Sequence, residues 1–256
     1  MNELKIESKR QKIRTAMVCL SLLFFPITVF YFSPYLAVYA SVYGIFAGCF
    51  ILIAAQFIAA FFFGRAFCGW ICPCAGIEEC CAIANDKKAK YSRKRFVKFF
   101  IWIPCFIAII ALFIRAGGVK TFDPLFLFLT DGKFIPMFGS HDFYAFWGMT
   151  SLMASTSIIF GRRTFCHTLC WLAPVMSVGT IIKNVLNYPS LKIKSDPSKC
   201  VHCGMCDKQC PMNLDIQNML KTGYIKSIDC IACGKCVDIC KYGVLKYGIF
   251  NKENSD

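Results

Sequence analysis

The sequence is short of charge, and of negative charge in particular: only 17% of its 256 residues are Asp, Glu, Lys or Arg, with 15 acids against 29 bases. Histidine is scarce too, at three residues, and no bis-histidine pair falls within an apolar run, nor does any C-x-x-C-H occur. That argues against haem ligation. No compact pair of carboxylates and no nucleophile with a neighbouring base points to hydrolysis. Four stretches, 15–33, 41–64, 99–114 and 143–161, carry no charge at all.

What the chain has instead is apolar length. With 57% hydrophobic residues and a mean hydropathy of +0.53, it is too apolar to cover itself with polar surface as a soluble domain must. A helix needs roughly 17–25 residues to cross the hydrocarbon. The runs therefore predict about four transmembrane helices, the third slightly short and borrowing from its flanks. Bases concentrate in residues 1–14 (five), 65–98 (eight) and 162–256 (thirteen), leaving Arg115, Lys120 and Lys133. By the positive-inside rule these rich segments are cytoplasmic, and 34–40 and 116–142 lie outside. The net charge of +14 is thus spread over several segments rather than one stripe, which suits membrane lipid headgroups and not nucleic acid. The expected location is the inner (cytoplasmic) membrane, multi-pass.

Two stretches imitate other features. Residues 1–40, with AVYA at 37–40, resemble a signal peptide, but the apolar run exceeds the usual ~7–15 residues. Residues 164–182 are also uncharged, yet a fifth span would export the C-terminal lysines. An interfacial or re-entrant helix over 171–182 is expected instead.

The chain holds 18 cysteines. On a reducing cytoplasmic face, C-x-x-C spacings point to metal rather than disulfides. Residues 200–211 read CVHCGMCDKQCP and 230–241 read CIACGKCVDICK. Both are C-x2-C-x2-C-x3-C, the bacterial pattern for paired [4Fe–4S] clusters in which the fourth cysteine of each run ligates the other cluster. One cluster would use Cys200, Cys203, Cys206 and Cys240; the second would use Cys230, Cys233, Cys236 and Cys210. Gly204 and Gly234 would let backbone amides approach the sulfurs, and Pro211 would turn the chain away, although Lys241 holds the matching place in the second run. The spacer between the runs predicts a short helix stopped by Gly223, then an extended stretch. Pro189 and Pro197 put the domain boundary near 188, giving a membrane domain over 1–187 and a ferredoxin domain over 188–256.

A second pattern repeats. FGRAFCGWICPC at 63–74 has an echo, FGRRTFCHTLC, at 160–170. Each follows an even-numbered span. Cys68 and Cys72, with Cys166 and Cys170, form two Cys-x3-Cys half-sites on the same side that could bring four thiols together as a soft-metal or redox site. Iron, copper, a disulfide or nothing are all open as its occupant. His167 could ligate metal, hydrogen-bond a quinone or take up a proton. Arg65, Arg162 and Arg163 are read first as interfacial anchors for lipid phosphates, with charge compensation of a thiolate cluster as the alternative. Cys19, Cys49 and Cys105 are expected to be packing residues, and Cys74, Cys80 and Cys81 have no counterparts in the second half.

GRAFCGWICPCAG, the second Cys-x3-Cys and the closing paired runs together resemble the membrane-bound iron–sulfur family. That family includes the quinol dehydrogenase membrane subunit of periplasmic nitrate reductase systems and the C-terminal part of the nitrous oxide reductase regulator. The resemblance covers about 40–250 and implies electron transfer between the quinone pool and other redox proteins. It departs at Cys74-Ala75-Gly76, where the family often has an apolar residue followed directly by glycine, and at Trp171, which stands where the family has proline. The expected partners are a ferredoxin, flavoprotein or reductase subunit, and a quinol. A second hypothesis is an accessory protein reducing a metal ion such as copper at the membrane-face cysteines. A third is a sensor or scaffold with structural cysteines.

Overall fold

The computed structural model describes residues 8–88, 96–126, 129–130, 133–134, 140–186 and 189–250. The first expected span is not one helix. α1 (Lys9–Leu23) stops at Phe24, and α2 (Phe25–Tyr31) takes over with Pro26 in its first turn, where a missing N–H costs nothing. α3 (Pro34–Tyr43) then starts under a Ser33 cap, whose hydroxyl accepts from Leu36 N at 3.3 Å, and ends at Gly44 in the left-handed region (φ 70°). Length and lack of charge over 15–33 could not register that break. Ala37 and Ala40, within the AVYA sequence, are fully buried.

β1 (Ile45–Ala47) leads into α4 (Gly48–Phe63), which is followed by α5 (Ala66–Trp70) and α6 (Pro73–Ala84). α7 (Val97–Arg115), grown from the shortest uncharged run, is the helix long and apolar enough to cross a membrane among the described residues. Gly48–Phe63, Phe146–Phe160 and Leu172–Leu186 are shorter apolar helices, so four crossings are an expectation beyond this count. β2 (Thr121–Asp123) pairs in parallel with β1, whereas β3 (Leu129–Thr130) pairs antiparallel with β4 (Lys133–Phe134). Tyr31 Oη donates to the Pro124 carbonyl at 2.6 Å. Tyr39 stacks on Phe126 with ring centroids 6.1 Å apart, so the two segments expected outside meet at one end. α8 (Ser140–Phe160), α9 (Thr164–Thr168) and α10 (Leu172–Leu186) complete the helical part. α10 occupies the place of the expected non-spanning helix and packs on α4 through Gly179, where a Cβ would crowd Ala60.

The C-terminal part is an antiparallel pair, β5 (Ser190–Ser195) with β6 (Leu245–Phe250), enclosing two equivalent loop–helix units that end in α11 (Met205–Gln209) and α13 (Lys235–Ile239). Between them lies α12 (Ile216–Met219), continued by a tight turn and closed at Gly223 (φ 76°), as the spacer predicts. One apolar core joins the helices through Leu36, Ala40, Cys49, Met153 and Phe165. A second runs without interruption from Ala60, Cys68 and Met176 into Ile193, Met212, Ile231 and Leu245. The ferredoxin-like part is therefore packed onto the repeated cysteine phrase.

Candidate iron–sulfur and membrane-face sites

The two cysteine runs fold alike because their loops need the same backbone. Gly204 (φ 72°) and Gly234 (φ 77°) are left-handed, and so are His202 (φ 54°) and Ala232 (φ 47°), two residues after Cys200 and Cys230. Left-handed residues in a tight loop turn successive N–H groups inward to make an anion-binding nest. His202 N lies 3.4 Å from Cys200 Sγ. The glycines were legible from sequence; His202 and Ala232 were not, since only the fold forces a side-chain-bearing residue into that region.

Cys230, Cys233, Cys236 and the crossing Cys210 line one cavity, walled by Ile193, Met212, Leu214, Ile216, Ile225 and Ile231. This donor set fits a cubane cluster: four thiols, an apolar wall and the nest at Ala232–Gly234. Cys210, Cys233 and Cys236 are buried, whereas Cys203 is exposed and Cys200, Cys206 and Cys240 are half-buried. Burial pushes the Cys210 thiol up to about 12 and the Cys230 thiol to about 11. Such thiols are neutral unless a cation draws off their protons.

At the repeated phrase, Cys68, Cys72, Cys166 and Cys170 are all buried. They are close enough that each thiolate would be felt by others of the set: burial, then Cys68 and Cys72, raise Cys170 to about 12. Cys166 is raised by burial, then by Glu78 and Cys170. Cys74 adds a fifth thiol, whose hydrogen bond holds Cys72 down to about 7. Cys68 Sγ also sits 3.4 Å from Met176 Sδ. Among the described residues no three His, Cys, Asp or Glu side chains converge tightly enough for one metal ion, here or at the ferredoxin cysteines. A cubane has four separate irons and so spaces its thiolates more widely than a single ion does.

The arginines depart from their first reading. Arg65 and Arg163 are 1% and 2% exposed, so they are core residues rather than lipid anchors. Arg65 Nη1 donates to Asp229 Oδ1 at 2.9 Å, and Lys98 Nζ donates to the same oxygen at 2.6 Å. Arg163 pairs with Glu79, which also takes Arg14 Nη1 at 2.6 Å, and Arg163 Nη1 donates to the Cys68 carbonyl at 3.2 Å. Arg162 alone stays near the surface, paired with Asp86. Burial opposes ionisation of Glu79, but Arg163 and Arg14 outweigh it and hold the carboxyl at about 2. Glu78 is fully buried, accepts from Ser157 Oγ (2.8 Å) and Cys166 N (3.3 Å), and is raised by burial.

His167 is buried rather than interfacial, with Nε2 lacking a partner among the described residues. Burial lowers it to about 4, so the imidazole is neutral. Cys49 is buried within α4 and Cys19 exposed on α1, apart from these sites. His141 lies in α8, outside the residues whose side chains are described. Sequence reasoning missed Glu78, Glu79, Lys98 and Asp229. The available signal was positional: an acid pair set within a strongly basic segment, and charges beside a span and a ligand cysteine.

The contact between the halves is direct. Gly69 lies so close to the Ile231 carbonyl that a Cβ would overlap it. Trp70 Nε1 donates to the Ala232 carbonyl at 2.9 Å, Gln11 Nε2 to the Cys233 carbonyl at 2.9 Å, and Arg10 pairs with Asp238 at 2.9 Å. The loop between Cys230 and Cys233 therefore rests on the loop between Cys68 and Cys72.

Comparison with known proteins agrees with this geometry. A 4Fe-4S dicluster domain matches residues 192–241, and a 4Fe-4S binding domain matches twice, over 45–88 and 143–182, so that each match contains one Cys-x3-Cys half-site. The fold and sites define an iron–sulfur electron-transfer protein. An uncharacterized protein of Methanocaldococcus jannaschii is 27% identical over 76% of this chain and 69% of its own length. The putative electron transport protein YccM of Escherichia coli is 23% identical over 76% of this chain, which spans 54% of that relative. The ferredoxin-type protein NapH of Haemophilus influenzae is 24% identical over 77% of this chain and 67% of its own length. The chain thus carries 4Fe–4S binding domains and is similar to 4Fe–4S ferredoxin-type, NapH-like proteins. No solved structure matches it.

Proposed function

We propose that this is a multi-pass membrane protein that moves electrons between the quinone pool, or a redox centre at the membrane face, and a cytoplasmic redox partner. Cys200, Cys203, Cys206 and Cys240 would hold one [4Fe–4S] cluster, and Cys230, Cys233, Cys236 and Cys210 the other. When bound, each cluster accepts and returns one electron at a time. The observation that carries the reading is the packing of the Cys230–Cys233 loop on Gly69 and the Trp70 side chain, between Cys68 and Cys72. That contact orders the ligand sets from an exposed one, through a buried one, to the membrane-face thiols.

Membrane insertion is supported by the outward face of α7, where Phe100, Ile103, Ile107, Ile110 and Ile114 are 46–79% exposed at helical spacing. α4 and α8 would cross beside it, with α1 and α2 as a bent first crossing and the cysteine-bearing end cytoplasmic. Arg65 and Arg163 place two buried positive charges beside the membrane-face thiols. These would stabilise thiolates holding a third centre, better suited to a cluster than to one copper ion, whose ligands must converge. His167 and Glu78 are the groups placed to hydrogen-bond or relay a proton for a quinol there. The test is quinol-dependent reduction of the clusters, followed by their visible absorbance, in Cys68→Ser and Cys166→Ser. The reading expects reduction to collapse while dithionite still reduces both clusters; unchanged quinol-driven rates would show that the route is wrong.

A further inference from the structure

The ferredoxin part is internally repeated, and its two poles differ in what covers them. Residues thirty positions apart are equivalent: Val201 with Ile231, Cys203 with Cys233, and Met212 with Tyr242. Ile231 is 2% exposed and Cys233 8%, because the membrane half lies on them through Gly69 and Gln11. Their equivalents at the other pole are bare. Val201 is 54% exposed and Cys203 is exposed, and Tyr242, after Cys240, is 55% exposed where its equivalent Met212 is 1%.

Charge inverts along with coverage. At the covered pole two aspartates bind the membrane half: Asp229 takes Arg65 and Lys98, and Asp238 takes Arg10. Their equivalents at the bare pole are Lys199 and Lys208, and Lys241 stands where the covered pole has Pro211. All three lysines are exposed. Lys199 pairs with neighbouring Asp196, whereas Lys208 and Lys241 have no ion pair among the described residues. The inversion is confined to these three positions: Lys235, near Glu79, has neutral Met205 as its equivalent, exposed Lys226 corresponds to Asp196, and Asp207, whose Oδ1 is taken up by Ile216 N and Gln217 N, corresponds to Val237.

We propose that the bare pole docks an anionic redox protein, in the manner in which the covered pole docks on the membrane half. The partner would present carboxylates to Lys199, Lys208 and Lys241, and an apolar patch to Val201 and Tyr242. This rests on the electron-transfer reading above and adds to it the entry face and the sign of the partner's charge.

The test uses the full iron-loaded chain in nanodiscs of neutral phosphatidylcholine, with a small acidic two-cluster bacterial ferredoxin as the probe. Binding should weaken steeply with added salt. Lys208→Glu with Lys241→Glu should raise Kd about tenfold or more, since like charges placed against each other are strongly disfavoured. Lys226→Glu, exposed on the same domain but beside Lys192, which lines a pocket with Gly64 and Thr180 of the other half, should not change it. Acetylation of Lys199, Lys208 and Lys241 should be slowed by the ferredoxin. An unchanged Kd in the double variant overturns the proposal, as does equal binding of a basic cytochrome. Slowing of acetylation by anionic-lipid discs without ferredoxin would assign the patch to the bilayer and overturn it as well. Iron content and EPR of the same samples separate the two levels. Clusters that are present and reducible alongside charge-insensitive binding refute the docking face alone, whereas absent iron refutes both.

Discussion

Asp229→Asn is the sharpest perturbation of the joint between the halves. The side chain is 0% exposed and its Oδ1 accepts from Arg65 at 2.9 Å and Lys98 at 2.6 Å, themselves 1% and 0% exposed. Burial alone would raise this carboxyl, but Arg65 and Lys98 hold it below the usual aspartate range, so it is ionised at neutral pH. Asparagine keeps the shape but leaves two buried cations without a counter-charge. Replacing a buried ion cluster by apolar groups can be neutral, yet removing one partner typically costs ~3–5 kcal/mol. At about 2–4 °C per kcal/mol for a chain of this size, the melting midpoint should fall by roughly 6–20 °C. Circular dichroism of the iron-loaded protein in detergent reads the midpoint, and hydrogen exchange at Trp70 and Ala232 reads the joint itself. Adding Lys98→Met to Asp229→Asn should recover part of the loss, because one stranded cation is gone. A midpoint within about 2 °C of the parent, with unaltered exchange at the joint, would refute the reasoning.

Gly69→Ala should weaken the same joint by about 1–3 kcal/mol through overpacking against the Ile231 carbonyl, seen as faster exchange at Ala232 with cluster absorbance retained. Glu79, held at about 2 against an ordinary value of 4.5, contributes stability that is fully present above pH 4.5 and is lost as pH falls towards about 2. The stability gap between parent and Glu79→Gln should therefore be constant near neutrality and close below pH 4.5, as chemical denaturation across pH would show. Cys210→Ser should remove the cluster of the second run while sparing the other, and Cys240→Ser the reverse, each leaving one EPR signal; loss of the cluster in the same run as the substitution would contradict the crossed ligation.

Much of this was legible because ligand chemistry imposes spacing. Three thiols must reach one small cluster from a tight loop, so the two four-cysteine runs and the Cys68/Cys72 and Cys166/Cys170 repeat stand out in the bare sequence, and the expected crossing of Cys210 is matched by its place in one cavity with Cys230, Cys233 and Cys236. The buried charges did not stand out. An arginine beside an apolar run has the same spelling whether it meets a lipid phosphate or Asp229, and only packing decides. The bend at Phe24 was missed because an uncharged run has no internal punctuation unless the proline is weighed against it. The difference between the two poles was equally hidden: the runs look interchangeable until the helical half is seen to cover Ile231 and leave Val201 bare.

The most direct test of the central claim is iron per chain in anaerobically purified protein, with EPR during stepwise reduction. The account predicts about eight irons in two interacting [4Fe–4S] clusters, and about four more if the membrane-face thiols hold a third. Zinc in place of iron, or fewer than about four irons with no reducible signal, would contradict it.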